Sequence, residues 1–274
     1  MAPRKFPNGP RDALTAAIEQ RDRHTLDMVT AAIRHKQVLM AYQPVVQATS
    51  PDRIAFHEAL IRLQDETGRI IPARDFIDAV EETELGRLLD CLALEKALQT
   101  LYREPDVRLS VNMSARSIGY KKWLRTLSRG LDRDPTVAER LILEITESSA
   151  MMVPELVVSF MSDLQRKGIS FALDDFGAGN TAFRHFKSFQ FDILKIDGQF
   201  IRAIACDPDN QVLARAMLSI AQQFDMFTVA EMVERADDAA YLADLGVDCL
   251  QGYYFGAPTV KPDWMTDSPL AAGA

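Results

Sequence analysis

From residue 39 onward, short runs dense in aliphatic and aromatic residues alternate with longer stretches whose apolar residues recur every three or four positions. The strand-like runs fall at 39–46, 54–63, 107–113, 140–146, 169–174, 191–196, 227–233 and 247–250. Helical spacing marks 73–103, 120–131, 153–167, 180–188, 207–224 and 235–244. A strand that is apolar along its whole length is buried on both faces, as strands are in a parallel sheet covered by helices. The first two runs are joined only by Thr49-Ser50-Pro51-Asp52, too little chain for a crossover, so they pair antiparallel. Everything after them follows strand–helix order. Eight strands in about 230 residues predict an α/β fold, a modified TIM (β/α)8 barrel with an antiparallel first strand. An open doubly wound sheet is the alternative, but no Gly-rich fingerprint follows the first strand.

One core is expected, because 274 residues with 47% hydrophobic content suffice for one large domain and are few for two. Residues 1–11, rich in Pro, Gly and basic side chains, read as a disordered tail. Residues 12–37 read as a helix with Leu14, Ile18, Leu26, Val29 and Ile33 on one face, 38–264 as the barrel and 265–274 as a C-terminal tail. A net charge of -8 argues against a nucleic-acid polymer or an anionic membrane as partner. Cys91, Cys206 and Cys249 have no paired spacing, so neither disulfides nor a zinc site is indicated. With no run of the roughly 18 to 20 apolar residues that span a bilayer and no export signal, the chain is expected in the cytoplasm.

In a barrel of this kind, functional groups stand at the C-terminal ends of strands. The runs here end on Glu58, Asn112, Glu144, Asp174 with Asp175, Lys195, Glu231 and Gln251. If these were structural, each buried polar group would need its own partner, which is costly for eight at once. Adjacent carboxylates at Asp174-Asp175 suggest a hard divalent cation, with helix capping as the plain alternative. Glu58 and Glu144 each sit in an apolar strand, where a lone carboxylate is disfavoured unless a cation faces it. Asn112 fits a metal ligand or a cap on the segment from Ser114 equally well. His57 faces away from Glu58 and reads as a packed histidine. Glu147 reads as an acceptor for backbone N–H groups of the turn after Asp175. Lys195 reads as a Schiff-base nucleophile or as an electrostatic group. The surrounding acids, which keep it charged, favour the second, with Asp197 as an ion-pair partner.

At these residues the chain resembles the EAL domain of bacterial cyclic di-GMP phosphodiesterases. Glu58-Ala59-Leu60 with Arg62 carries the naming motif. Tyr42-Gln43-Pro44, Val111-Asn112-Met113-Ser114, Glu144-Ile145-Thr146-Glu147, Asp174-Asp175-Phe176-Gly177, Lys195-Ile196-Asp197, Ala230-Glu231 and Gln251-Gly252 follow the family in order. The resemblance implies hydrolysis of one phosphodiester bond of cyclic di-GMP to linear pGpG with two Mg²⁺ or Mn²⁺ ions. It implies Glu58, Asn112, Glu144 and Asp174 as ligands of one ion, and Asp174 with Asp175 as ligands of the other. It further implies Lys195 on the attacking water, Glu231 as general base or its support, Gln251 on water or substrate, Gln43 and Arg62 on the nucleotide, Glu147 as the loop anchor, and a homodimer. The alternative is a cyclic di-GMP receptor of weak or no activity. Departures from the family pattern are Ala178-Gly179-Asn180-Thr181-Ala182 in the loop, Leu63 for a tryptophan and Met232 for a glycine. They bear on turnover, the second ion and the dimer more than on nucleotide binding.

Overall fold

In a computed structural model, which describes residues 13–179 and 186–265, the strands close into a ring. Its members are β1 (Val38–Gln47), β2 (Ser50–Gln64), β4 (Leu109–Asn112), β5 (Leu141–Thr146), β6 (Ser170–Phe176), β7 (Ile193–Ile196), β8 (Phe227–Ala230) and β9 (Cys249–Gln251). Neighbours from β2 through β9 run parallel, whereas β1 is antiparallel both to β2 and, through Val45–Gln251, to β9. The barrel with an antiparallel first strand is therefore as the alternation predicted. A short β3 (Ile70–Pro72), absent from the sequence reading, adds to the outer end of β2.

The pleat explains how the site is built. In the barrel interior Val45, Phe56, Ile142, Ala172, Ile193 and Val229 form one apolar plug. Side chains two residues apart on a strand share a face. Glu58, Glu144, Asp174 and Lys195 stand two positions beyond Phe56, Ile142, Ala172 and Ile193, so the plug's registry aims all four at the same mouth; Glu231, two beyond Val229 and just past β8, stays in line because its amide donates to the Ile196 carbonyl. On antiparallel β1 the order reverses, and Gln43 precedes Val45. The intervening residues, such as Leu141, Leu143, Ile145, Leu194 and Ile196, point outward into the main core under the helices.

The 73–103 pattern is three elements rather than one. A 3-10 turn (Ala73–Asp75) and a single helical turn (Ile77–Val80) precede the helix Glu84–Arg103, whose start is fixed by Thr83 accepting from the Leu85 amide. The N-terminal helix Ala13–Arg34 packs Val29 and Ala32 into a second core with Leu63, Ile71, Phe76, Val80 and Leu89. His57 faces outward, as expected, and accepts a hydrogen bond at Nε2 from Trp264 Nε1 at 2.9 Å. Burial pushes the His57 pKa down to about 4, consistent with that acceptor role. The sequence readings over 1–11, most of 180–188 and 266–274 lie outside the described residues.

Candidate functional site

Lys195, 1% exposed, is the centre of the barrel mouth. Its Nζ lies 2.8 Å from Glu144 Oε2, 2.9 Å from Asp174 Oδ1, 2.8 Å from Glu231 Oε1 and 3.4 Å from Glu58 Oε2. Glu58 is held from both sides: Asn112 Nδ2 donates to Oε1 at 2.8 Å and Gln251 Nε2 to Oε2 at 2.6 Å. Gln251 Nε2 also reaches Gln43 Oε1 at 3.2 Å, and Gln43 Nε2 donates to the Gly256 carbonyl. The polar groups on β1, β2, β4, β5, β6, β7 and β9, with Glu231 just past β8, thus meet at one place.

Asp175 joins them through a break in the pleat. Successive strand side chains normally oppose each other, but Asp175 adopts a φ of 55° where the β6–β7 register slips between Leu173 and Phe176. Aspartate tolerates that left-handed region better than most residues. Oxygens of Asp174, Asp175 and Glu231 consequently lie within 4.8 Å of one another. Just beyond, Glu147 Oε2 accepts from the Gly177 amide at 2.9 Å, with Gly177 at a φ of 96°. A side chain at Gly177 would strike Phe200 and Met217, so this turn demands glycine for space as well as for backbone.

The charges do not balance. Among the described residues five carboxylates face one ammonium, which leaves a net charge of -4 if all ionise. Burial pulls the Lys195 pKa down, but Asp174, Glu144, Glu231 and Glu58 outweigh it and hold the ammonium protonated well above its ordinary range. For Glu58, burial opposes ionisation, yet Lys195 and the Gln251 and Asn112 hydrogen bonds prevail and lower its pKa. Burial, reinforced by the Glu58 charge, pushes Glu144 well up. Burial likewise raises Glu231 to about 8, and burial with Asp174 raises Asp175 to about 6. One cation is thus too few for these acids. Glu144 Oε1 is buried with no hydrogen-bond partner, and Asp174 Oδ1 lies beside Lys195 without accepting a hydrogen bond. Hard oxygen donors, unsatisfied and crowded, fit a divalent cation such as Mg²⁺ or Mn²⁺.

Three sequence expectations need placing. Asp197 is not an ion-pair partner of Lys195; it accepts from the Gln199 amide at 2.7 Å and caps the turn Gly198–Phe200. Residues 195 and 197 share a strand face only while the strand lasts, and β7 ends at Ile196. Arg62 stands at the rim, half-buried, donating to the Ile61 carbonyl rather than to any site acid. Asn112 binds Glu58, while the segment after it is capped by Ser114 itself.

A further residue escaped the sequence reading. Asp90, on the helix Glu84–Arg103, accepts from the Ser114 amide and from Ser117 Oγ at 2.6 Å, fixing the loop that leaves Asn112. Burial pushes its pKa up to about 6. The signal was an acid at a position that the helical period turns inward, between Leu89 and Cys91.

The profile of the EAL domain matches residues 26–258. The chain belongs to the EAL domain family. The cyclic di-GMP phosphodiesterase PdeF of Escherichia coli is 28% identical over 246 residues, covering 88% of this chain and 32% of PdeF. PdeB of Shewanella oneidensis, also named a cyclic di-GMP phosphodiesterase, is 27% identical, covering 84% of this chain and 27% of PdeB. The chain spans about a third of the length of these curated relatives. Among solved structures, the PaMucR phosphodiesterase in complex with c-di-GMP superposes with a TM-score of 0.78 at 28% identity, covering 86% of this chain and 97% of that one. The FimX EAL domain from Pseudomonas aeruginosa, bound to c-di-GMP, shares the fold at 22% identity, with a TM-score of 0.79 over 88% of this chain and 98% of that one.

This EAL domain carries backbone strain beside Glu231. Met232 has a φ of 53°, which costs a side-chain-bearing residue about 1–2 kcal/mol. Its side chain covers Gly198, where any Cβ would come within 2.5 Å of Met232 Sδ, but the residue remains 48% exposed. Half-exposed cover is worth less than the strain. Met232→Gly is therefore expected to raise the thermal midpoint by about 2–4 °C, the shift that a gain near 1 kcal/mol gives a domain of this size. A fall in the melting temperature would show that packing on Gly198 dominates.

Proposed function

We propose that this EAL domain is a metal-dependent phosphodiesterase that hydrolyses one phosphodiester bond of cyclic di-GMP, releasing linear pGpG. The observation that carries the reading is the mouth of crowded carboxylates around Lys195, on a chain alike over most of its length to proteins named cyclic di-GMP phosphodiesterases. In this reading Glu58, Asn112, Glu144 and Asp174 hold one Mg²⁺ or Mn²⁺, and Asp174 and Asp175 hold a second. Bound there, the ions offset the surplus negative charge, polarise the phosphate and make water a better nucleophile near neutral pH.

The remaining steps fall to the chain's own residues. Lys195 Nζ keeps its proton, and its charge stabilises the negative charge that grows on the phosphate oxygens; it orients the attacking water once a carboxylate turned to a metal ion releases one of its N–H groups. Glu231, beside Lys195 and close to Asp174 and Asp175, takes the proton that water loses, as general base or as its support. Gln251 and Gln43, tied to each other, fix one wall of the site, and Gln251 positions water or substrate. Arg62, whose hydrogen bond goes to the Ile61 carbonyl, offers its guanidinium fork to a phosphate of the dinucleotide. Glu147 holds the turn that follows Asp175. The three free cysteines fit a reducing cytoplasm. Among the described residues no helix is long and apolar enough to cross a membrane.

Incubation of the purified protein with cyclic di-GMP and Mn²⁺ should give pGpG, resolved by chromatography, and a chelator should stop its release. Tight nucleotide binding without product at any metal concentration would replace the enzyme with the receptor reading, which the altered loop after Gly177 favours.

A further inference from the structure

We propose that the groove between the helices Glu84–Arg103 and Lys121–Arg133 docks an acidic helix of a partner protein. The inference rests on charge and shape away from the barrel mouth, and stands whether or not the site hydrolyses a dinucleotide. Lys122, Arg125, Arg129 and Arg133 are spaced three or four residues apart and so form one stripe along the second helix. They line a cavity of about 570 Å³ that contains one acid, Glu95. The groove thus carries a net +3 on a chain whose net charge is -8.

A stripe of like charges weakens a helix by a few tenths of a kcal/mol per neighbouring pair. Solvated helix faces commonly relieve this with interspersed acids. Here relief is missing, since among the described residues none of the four cations forms an ion pair. The helix is held down instead by its other face, through Trp123 and Leu127.

The groove is also shaped in advance. Gly130 brings the two helices together, because a Cβ there would meet Leu98 and the Tyr102 hydroxyl at 2.7 and 2.9 Å. Tyr102 donates to the Gly130 carbonyl at 2.6 Å and carries the Arg133 guanidinium over its ring at 4.4 Å. Arg133 is therefore pinned at one end before any ligand arrives. Eleven residues separate Lys122 from Arg133, a span of about 16 Å. A partner helix with acids at i, i+4, i+7 and i+11 matches that length and spacing. Glu95 and Gln99 form the facing wall, so the cations look into a trough rather than across a plane. A bilayer meets only its rim, and the chain's overall charge opposes an extended polyanion.

The test uses a fluorescein-labelled synthetic helix with glutamates at i, i+4, i+7 and i+11, titrated with the full chain and followed by anisotropy at low salt. Saturable binding is expected. It should weaken at least tenfold when the glutamates become glutamines, and by a similar factor in the Arg125→Glu/Arg129→Glu double variant. Both substituted side chains are exposed, and an unchanged melting curve will confirm the fold. Arg53→Glu/Arg69→Glu, outside the groove, should bind as the unsubstituted chain does. Equal affinity for the two peptides, or full affinity in the groove variant, overturns the proposal. So does binding of phosphatidylserine vesicles or polyuridylate through Arg125 and Arg129 where the acidic peptide fails.

Discussion

Lys195→Met should cost this EAL domain stability and turnover together, and the stability loss should grow with pH. Methionine keeps much of the lysine's volume, so packing changes little; what disappears is the ammonium that faces Glu58, Glu144, Asp174 and Glu231. Breaking a buried ion network by removing one partner costs about 3–5 kcal/mol when the remaining charges stay. They can escape part of that by taking up protons, which sets the pH dependence. Without Lys195 the Glu144 and Glu231 carboxyls, which burial already raises, rise further above their unfolded values, and Glu58 loses the charge that lowers its pKa; a group raised in this way contributes stability at low pH that is lost as pH rises through its folded pKa, and a group no longer lowered forfeits the stability it gave at higher pH. Denaturant midpoints of variant and parent should therefore lie close together at pH 5 and diverge by pH 8. Adding Mn²⁺ at pH 8 should restore part of the difference, since the ion supplies the missing positive charge. Under the proposed function, turnover of cyclic di-GMP should fall at least ~10²-fold even with saturating metal, the usual scale for losing a preorganised charge-stabilising donor. Equal stability at pH 8, or turnover within a few-fold of the parent, would remove Lys195 from the centre of the site.

The barrel was legible because both of its periods are written into the residues. Apolar runs such as Leu141-Ile142-Leu143 with a single acid at Glu144 announce a strand buried on both faces with one functional side chain, and the pleat leaves little freedom in where that side chain points. Asp197 was misjudged because local spacing says nothing about where a strand ends: one residue past Ile196 the chain turns and the carboxylate becomes a cap. The break in 73–103 was hidden by apolar spacing that continues through Phe76, Ile77 and Val80, although Thr83 before Glu84 is a capping signal. Asp90 and Trp264 were missed for a different reason. Each gains its meaning from a partner far along the chain, Ser114 with Ser117 in one case and His57 in the other. Long-range pairing of this kind leaves no period in the sequence. The same holds for the closure of β9 onto β1, which depends on the curvature of the whole sheet.

Glu58 offers a way to separate the two duties of a carboxylate at this mouth. Its oxygens accept from Asn112 and Gln251, which is a structural duty, and under the proposed function they also ligate a divalent ion. Glu58→Ala ends both: the buried Gln251 amide loses its acceptor, at about 1–3 kcal/mol, the exposed Asn112 amide turns to water, and a cavity opens beside Lys195. Glu58→Gln ends the second and keeps part of the first, because its carbonyl oxygen can still accept one of the two hydrogen bonds in nearly the same volume. Both variants should lose at least ~10² in turnover of cyclic di-GMP and bind Mn²⁺ more weakly by calorimetry. Their stabilities should differ, with the Gln variant staying within about 1.5 kcal/mol of the parent and the Ala variant falling by more than about 2 kcal/mol. The contrast matters because a loss of activity in Glu58→Ala alone could follow from a loosened mouth. If Glu58→Gln binds Mn²⁺ as the parent does, Glu58 is no metal ligand, and its neighbours Asn112 and Gln251 then position a carboxylate whose work is to hold Lys195.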